Sequence, residues 1–232
     1  MNFYVGTSGY SYKEWKGSFY PEDVSTDEML RYYGGQFGAV EINNTFFRMP
    51  KPEVLEAWAA EVPADFKFVL KASRGITHMK RLKNAGDSVA YLLKMIAGMK
   101  QRIGALLFQL PPNMKKDVPR LREFLALLPK DRRAAFEFRH QSWFEDDVFD
   151  ALREDNAALC IAEAEDGLDI PFVATADFGY LRLRMPDYTD AQLKAWHKRV
   201  KDQKWSDAFV FFKHEDEARG PKLAKRFMEL AK

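Results

Sequence analysis

Glu41, Lys71, Glu137, Arg139, Arg182 and Arg184 sit at or near the ends of short strand-like runs, each on a polar face whose opposite face is greasy. Glu41 and Asn43 alternate with Val40 and Ile42. Lys67, Val69 and Lys71 alternate with Phe66, Phe68 and Leu70. Glu137 and Arg139 alternate with Phe136 and Phe138, and Tyr180, Arg182 and Arg184 with Leu181 and Leu183. Successive strand side chains point to opposite faces, so the charges of each run share one side. Two chemistries fit such a set. Glu41 and Glu137 could work as an acid–base pair if Lys71 or the arginines pull their pKa values apart. The arginines offer planar forks that match a phosphate or carboxylate.

The expected catalytic residues are therefore Glu41, Glu137 and Lys71. The expected substrate-binding residues are Asn43, His78, Gln109, Arg139, His140, Trp143, Tyr180, Arg182, Arg184 and Lys213, all on or just after strand ends. The competing reading is that the carboxylates and arginines only neutralise one another inside the fold. Because cations outnumber carboxylates at these ends, Arg182 is expected to await an anion rather than to serve as a structural counter-ion. His78, His140, His214, Glu137, Glu163 and Glu215 are metal-ligand types, but no HExxH or similar spacing joins them, so no metal is expected. No pattern names a cofactor. The rim aromatics Tyr10, Tyr12, Trp15, Phe19, Tyr20, Phe46, Phe47, Trp143 and Phe144 divide between a packed lid and a ligand-facing minority.

These residues need elements to position them. Strands are expected over 3–6, 39–43, 66–71, 105–110, 134–139, 158–162, 179–184 and 208–213. Apolar stripes at helical spacing lie between most of them, such as Val54, Leu55, Trp58, Ala59 and Val62, or Val118, Leu121, Phe124, Leu125 and Leu128. Ser25 and Glu28 read as a capping box opening a helix toward Phe37. Eight strands alternating with helices at most crossovers imply an α/β fold, a single (β/α)8 TIM-like barrel over residues 1–232. A doubly wound sheet is the alternative; it would cover both strand faces with helices and strand the inward charges. Two segments break the rhythm: a long aromatic loop after strand one (7–24) and an irregular crossover after strand six (163–178).

Lys and Arg total 36 against 34 Asp and Glu, a net charge of +2. So even a balance gives no global field for nucleic acid or anionic membrane. The single cysteine, Cys160 in the apolar run ALCIA, excludes an internal disulfide and a cysteine zinc cluster. No apolar run reaches membrane-spanning length and no basic-then-apolar leader opens the chain, so a cytoplasmic protein without an obligate protein partner is expected.

The stretches GTSGYSYKEWKGSFYP, VEINNTFFRMP, FKFVLKASRGITH, LLFQLPPN, FEFRHQSW and TADFGYLRLR resemble, in order and across almost the whole chain, the YecE-like family, also called domain of unknown function 72. That resemblance implies a (β/α)8-like barrel and supplies no reaction. The fold also looks like endonuclease IV and xylose isomerase barrels, which hold metals with His, Glu and Asp at strand ends. Here Lys71, Gln109, Arg139, Arg182 and Lys213 occupy comparable ends. The leading expectation is an enzyme, such as a hydrolase, acting on an anionic small molecule or phosphodiester at the barrel's C-terminal mouth. The alternatives are a non-catalytic nucleic-acid binder and a metal-dependent phosphodiesterase of the endonuclease IV type.

Overall fold

Period-two runs interrupted by amphipathic stretches leave each strand free to pair only through a crossover, and the observed pairing is parallel throughout. A computed structural model describes residues 1–163, 167–213 and 216–230. Its strands are β1 (Asn2–Thr7), β2 (Ala39–Ile42), β3 (Lys67–Lys71), β4 (Ile103–Gln109), β5 (Ala134–Glu137), β6 (Ala158–Glu163), β7 (Phe178–Leu183) and β8 (Asp207–Phe212). They follow the order β1-β8-β7-β6-β5-β4-β3-β2 in one eight-stranded sheet that nearly closes on itself. The helices are α1 (Met29–Gly34), α2 (Pro52–Glu61), α3 (Gly86–Met95), α4 (Val118–Leu125), α5 (Asp146–Glu154), α6 (Asp190–Lys201) and α7 (Arg219–Leu230). This is a (β/α)8 barrel in which the crossover from β6 to β7 carries no helix among the described residues. None of the described helices is long and apolar enough to cross a membrane.

Strand parity separates two apolar layers. Val40, Ile42, Phe68, Leu70, Phe108, Phe136 and Phe138 pack outward against the helices. Inside, Ala39, Ala105, Ala135, Ala158, Cys160 and Ala162 face Tyr4, Phe178, Tyr180, Phe209 and Phe211. Small side chains on β2, β4, β5 and β6 thus make room for large aromatics from β1, β7 and β8, and the interior is filled rather than hollow. Cys160 is fully buried, and burial pushes its thiol well up, which leaves it unreactive.

The barrel's seam lies between β1 and β2. Only the Ser8–Glu41 bridge joins the two strands, with the Gly9 N–H donating to the Glu41 carbonyl at 2.8 Å. Below it a side chain replaces the missing ladder. The Tyr33 hydroxyl, from α1, accepts the Thr7 N–H at 2.7 Å and donates to the Ala39 carbonyl at 3.1 Å. Gly6 permits this wedge, since a Cβ there would fall 1.9 Å from the Ala39 oxygen.

Two expectations shift locally. α1 begins at Met29, one turn later than Ser25 suggested. Glu28 still accepts the Ser25 N–H at 3.1 Å and its hydroxyl at 2.6 Å, so half of the capping box forms ahead of the helix. The long loop after β1 is folded down: Trp15 and Tyr20 are buried, and Tyr20 and Tyr12 donate to the carbonyls of Tyr10 and Ser8.

Candidate functional site

Arg182, on β7, reaches across the barrel to both glutamates. Its Nη1 donates to Glu137 Oε2 at 2.5 Å and its Nη2 to Glu41 Oε1 at 2.8 Å. Glu41 Oε1 also accepts from the Ser8 hydroxyl at 2.8 Å and Asn43 Nδ2 at 3.1 Å, and its Oε2 accepts the Tyr180 hydroxyl at 2.6 Å. Glu137 Oε1 accepts from Gln109 Nε2 at 2.9 Å, and Arg184 Nη2 stands 3.3 Å from it. Glu41 and Glu137 are fully buried and Arg182 is 3% exposed. Burial alone would raise both carboxyls. Arg182 and the hydrogen-bond donors outweigh it, holding Glu41 below its ordinary range and Glu137 at about 2. The same carboxylates outweigh burial on Arg182 and raise it further.

This geometry bears on four of the expected roles. Arg182 does not wait for an anion: both terminal nitrogens are engaged, although its buried Nε has no hydrogen-bond partner among the described residues. Glu41 and Glu137 are poor proton carriers, because every one of their oxygens already accepts a hydrogen bond and none meets solvent. Trp143 cannot form a pocket wall. It is fully buried, lies parallel to Phe138 with centroids 4.5 Å apart, and donates its indole N–H to the Met114 carbonyl at 2.7 Å. Tyr180 is likewise buried, as a donor to Glu41 rather than a contact at the mouth.

Above this layer the charge changes sign. Lys71, the last residue of β3, is half-buried, with Nζ 4.4 Å from the centre of the Phe46 ring. No ion pair joins it to a carboxylate among the described residues. Burial, then Arg182 and Lys213, lower its ammonium to about 8, with Glu137 and Glu41 pulling only partly the other way. The buried Thr45 hydroxyl donates to the Lys71 carbonyl at 2.7 Å, which fixes the Phe46 loop against β3. The next loop makes a single π-helical turn, Gly75–Met79, a rare form often found at functional sites. It presents His78, whose ring meets Phe46 edge-on at 4.9 Å and whose Nδ1 lies 2.9 Å from the Thr77 hydroxyl. Burial, Lys71, Arg139 and Arg81 all lower the His78 titration. Beyond it Arg81, Leu82 and Asn84 hold left-handed backbone angles (φ 50°, 68° and 49°), and Arg81 donates to Asn113 in the loop after β4. Strain at three non-glycine residues in one rim loop is the kind that persists only where surrounding contacts hold it.

Arg139 is half-buried just past β5, Arg184 stands just past β7, and Lys213 is exposed just past β8. His140 turns away to Ser142, its Nδ1 2.9 Å from that hydroxyl and 3.1 Å from that amide. His214 and Glu215 lie outside the described residues. Among the described residues no three His, Cys, Asp or Glu side chains gather as a metal-ligand set. Beside Asn43 opens a recess of about 240 Å³ walled by Gly9, Tyr10, Tyr12, Asn44 and Trp58. A larger cavity of about 500 Å³ lies at the opposite end of the barrel. Three of its cations are committed there, Lys67 to the Gln101 carbonyl, Arg132 to that of Lys100 and Arg133 to Asp207, and that end of such barrels carries stability rather than chemistry.

The sequence profile described as "Protein of unknown function DUF72" matches residues 4–232. The chain belongs to the DUF72 family. Among its DUF72 relatives, the UPF0759 protein YecE of Escherichia coli (strain K12) is 34% identical over 116 residues, 50% of this chain and 43% of that protein. The UPF0759 protein YunF of Bacillus subtilis (strain 168) is 28% identical over 149 residues, 61% of this chain and 52% of that one. The matched stretches thus span about half the length of these curated relatives. The crystal structure of a DUF72 family protein from Thermotoga maritima MSB8 superposes with a TM-score of 0.87 at 25% identity, covering 99% of this chain and 98% of that one. A second, from Enterococcus faecalis V583, has a TM-score of 0.79 at 17% identity, covers 98% and 96%, and shares the fold.

Ser8, Thr45 and Phe46 join these residues; Phe46 stood among the rim aromatics, and Ser8 and Thr45 follow strand ends without having been given a substrate-binding or catalytic role. Each is a small or apolar residue just past a strand end, where strand parity no longer assigns a face. Tyr33 reads in sequence as one more aromatic on a helix stripe.

Proposed function

We propose that this DUF72 protein is an enzyme that binds a phosphate- or carboxylate-bearing substrate at the C-terminal mouth of the barrel, with Lys71 as the reacting group. One observation carries the reading. The two buried carboxylates are used up by Arg182 and its neighbours, whereas Lys71 stands above them over Phe46 with cations around it and no carboxylate paired to it among the described residues. A desolvated lysine beside other cations loses its proton near neutrality and can act as base or nucleophile. Lys213, which acts on Lys71, and Arg139, just past β5, stand at the same mouth and suit an incoming anion.

In this account Glu41, Glu137 and Arg182 are positioning residues. Their closed network fixes the floor on which Lys71 stands, and the charges within it nearly cancel. Tyr10, Tyr12 and Trp58, around the recess beside Asn43, would take the uncharged remainder of the substrate by stacking.

The test is a melting series with inorganic phosphate at fixed ionic strength, in wild type and Lys71→Met. A ligand that binds only the folded chain raises Tm with concentration. The reading expects phosphate to raise the wild-type Tm and to raise that of Lys71→Met much less. No phosphate effect on wild type would sink it.

A further inference from the structure

We propose that Lys71 captures a carbonyl, forming an imine with an aldehyde or ketone that also carries a phosphate or carboxylate. The inference deepens the anion-site reading and rests on it.

Three features of the mouth argue for this class of substrate. The first is where the amine sits: at the end of a barrel strand, half-buried, its Nζ held 4.4 Å from the Phe46 ring centre rather than in an ion pair. An aromatic face stabilises the ammonium only weakly compared with a carboxylate, so the amine is available. The second is the neighbourhood. Arg182 lies beneath and Lys213 alongside, each depressing Lys71, and His78 shares the Phe46 ring with it. Cations beside a desolvated lysine are the arrangement that activates an amine toward carbonyl carbon, and they also favour a substrate with a negative group of its own. The third is the state of the glutamates beneath Lys71. Glu41 and Glu137 are sealed, which leaves the amine and His78, which share the Phe46 ring, as the titratable groups placed to act beside it.

The step balances without an oxidant or reductant. The Nζ lone pair attacks the carbonyl carbon to form a C–N bond. The carbonyl oxygen then leaves as water, carrying both amine hydrogens, and the nitrogen closes the C=N double bond. His78 titrates below its ordinary range, so it is neutral at pH 7 and suited to ferry the proton that the departing hydroxyl needs.

The experiment uses the full chain, glycolaldehyde phosphate, and glycolaldehyde as its uncharged analogue. Imines are reduced with borohydride and each modified lysine is located by peptide mass. At pH ~7.5 an amine titrating near 8 has on the order of a hundredfold more neutral form than an ordinary lysine. Its lower basicity gives back part of that advantage. Lys71 should therefore be modified at least ~10-fold faster than the exposed Lys13 and Lys222. The phosphate-bearing aldehyde should outpace glycolaldehyde at Lys71 alone, and inorganic phosphate should compete. Lys71→Arg keeps the charge, so it should lose the adduct yet keep its stabilisation by phosphate. If phosphate stabilises wild type but Lys71 reacts no faster than Lys13, the imine is wrong and the anion site stands. Equal rates with the two aldehydes at Lys71 would also overturn the imine proposal. If there is neither stabilisation nor selective labelling, both readings fall.

Discussion

Arg182 and Glu137 meet at 2.5 Å across the inside of the barrel, from strands β7 and β5, and the arginine's other terminal nitrogen holds Glu41. One guanidinium therefore cross-braces the barrel between two carboxylates that have no solvent around them, and Arg184 adds a second cation beside Glu137. It also gives Lys71 a floor of mixed charge to stand on.

Removing that brace leaves two buried carboxylates without their main counter-ion. Arg182→Ala is expected to lower unfolding free energy by about 3–5 kcal/mol, measured by urea denaturation at pH 7. Combining it with Glu41→Gln and Glu137→Gln should recover part of the loss, because the unpaired charges go with it. A loss under about 1 kcal/mol for the single variant, within the range of ordinary surface changes, would show that the network is not a brace.

The two charge layers make stability rise with pH in two separate windows. Glu137 is held at about 2 and Glu41 below its usual range in the folded chain. Their stabilisation is present above the unfolded glutamate value of about 4.3 and is lost as pH falls through the folded values. Urea midpoints should drop from about pH 4.5 downward, less steeply in Glu137→Gln. For Lys71 it is the charged form that the fold disfavours, and it titrates at about 8 when folded. Below that both states hold the proton and the folded chain bears the full cost of a desolvated ammonium. Between about 8 and 10.4 only the unfolded lysine stays charged, so stability rises with pH there. Lys71→Met is expected to be more stable than wild type at pH ~7, with the difference gone by about pH 10.5. A variant no more stable than wild type at pH 7 would mean that Lys71 is not desolvated.

How far the sequence foretold this depends on what fixes each residue. Parity along a strand is a steric rule, and it put Glu41, Glu137 and Arg182 on the inner face without further information. The pairing of Arg182 with both glutamates was not legible, because it depends on which strands face each other across the barrel and on how far each side chain reaches. Counting cations at strand ends could not show that Arg182 is engaged by both glutamates, whereas Lys71, one layer higher, is in no ion pair among the described residues. Trp143 failed differently. Its place after β5 suggested the rim, but a three-residue turn at Gln141–Trp143 swings the indole back onto Phe138, and such turns leave little trace in composition. The π-helical turn that presents His78 has no sequence rule at all.

Below the Ser8–Glu41 bridge, the β1–β2 seam is joined by the Tyr33 hydroxyl. Tyr33→Phe keeps the packed ring but leaves the Thr7 N–H and the Ala39 carbonyl short of a partner where both are buried. Such losses cost about 1–3 kcal/mol each. The expected signature is a fall of that order in unfolding free energy, with hydrogen exchange at Thr7 accelerated more than at amides of β7. Unchanged protection at Thr7 would show that the seam closes without the wedge.

The central claim is that an anion belongs at the mouth, on Lys71, and an anomalously scattering oxyanion tests it most directly. Crystals soaked in selenate should show one strong anomalous peak within hydrogen-bond distance of Lys71 Nζ, absent from Lys71→Met crystals. A peak only in the basal cavity lined by Lys67, Lys100 and Arg132, or no peak at the mouth at all, would contradict the account.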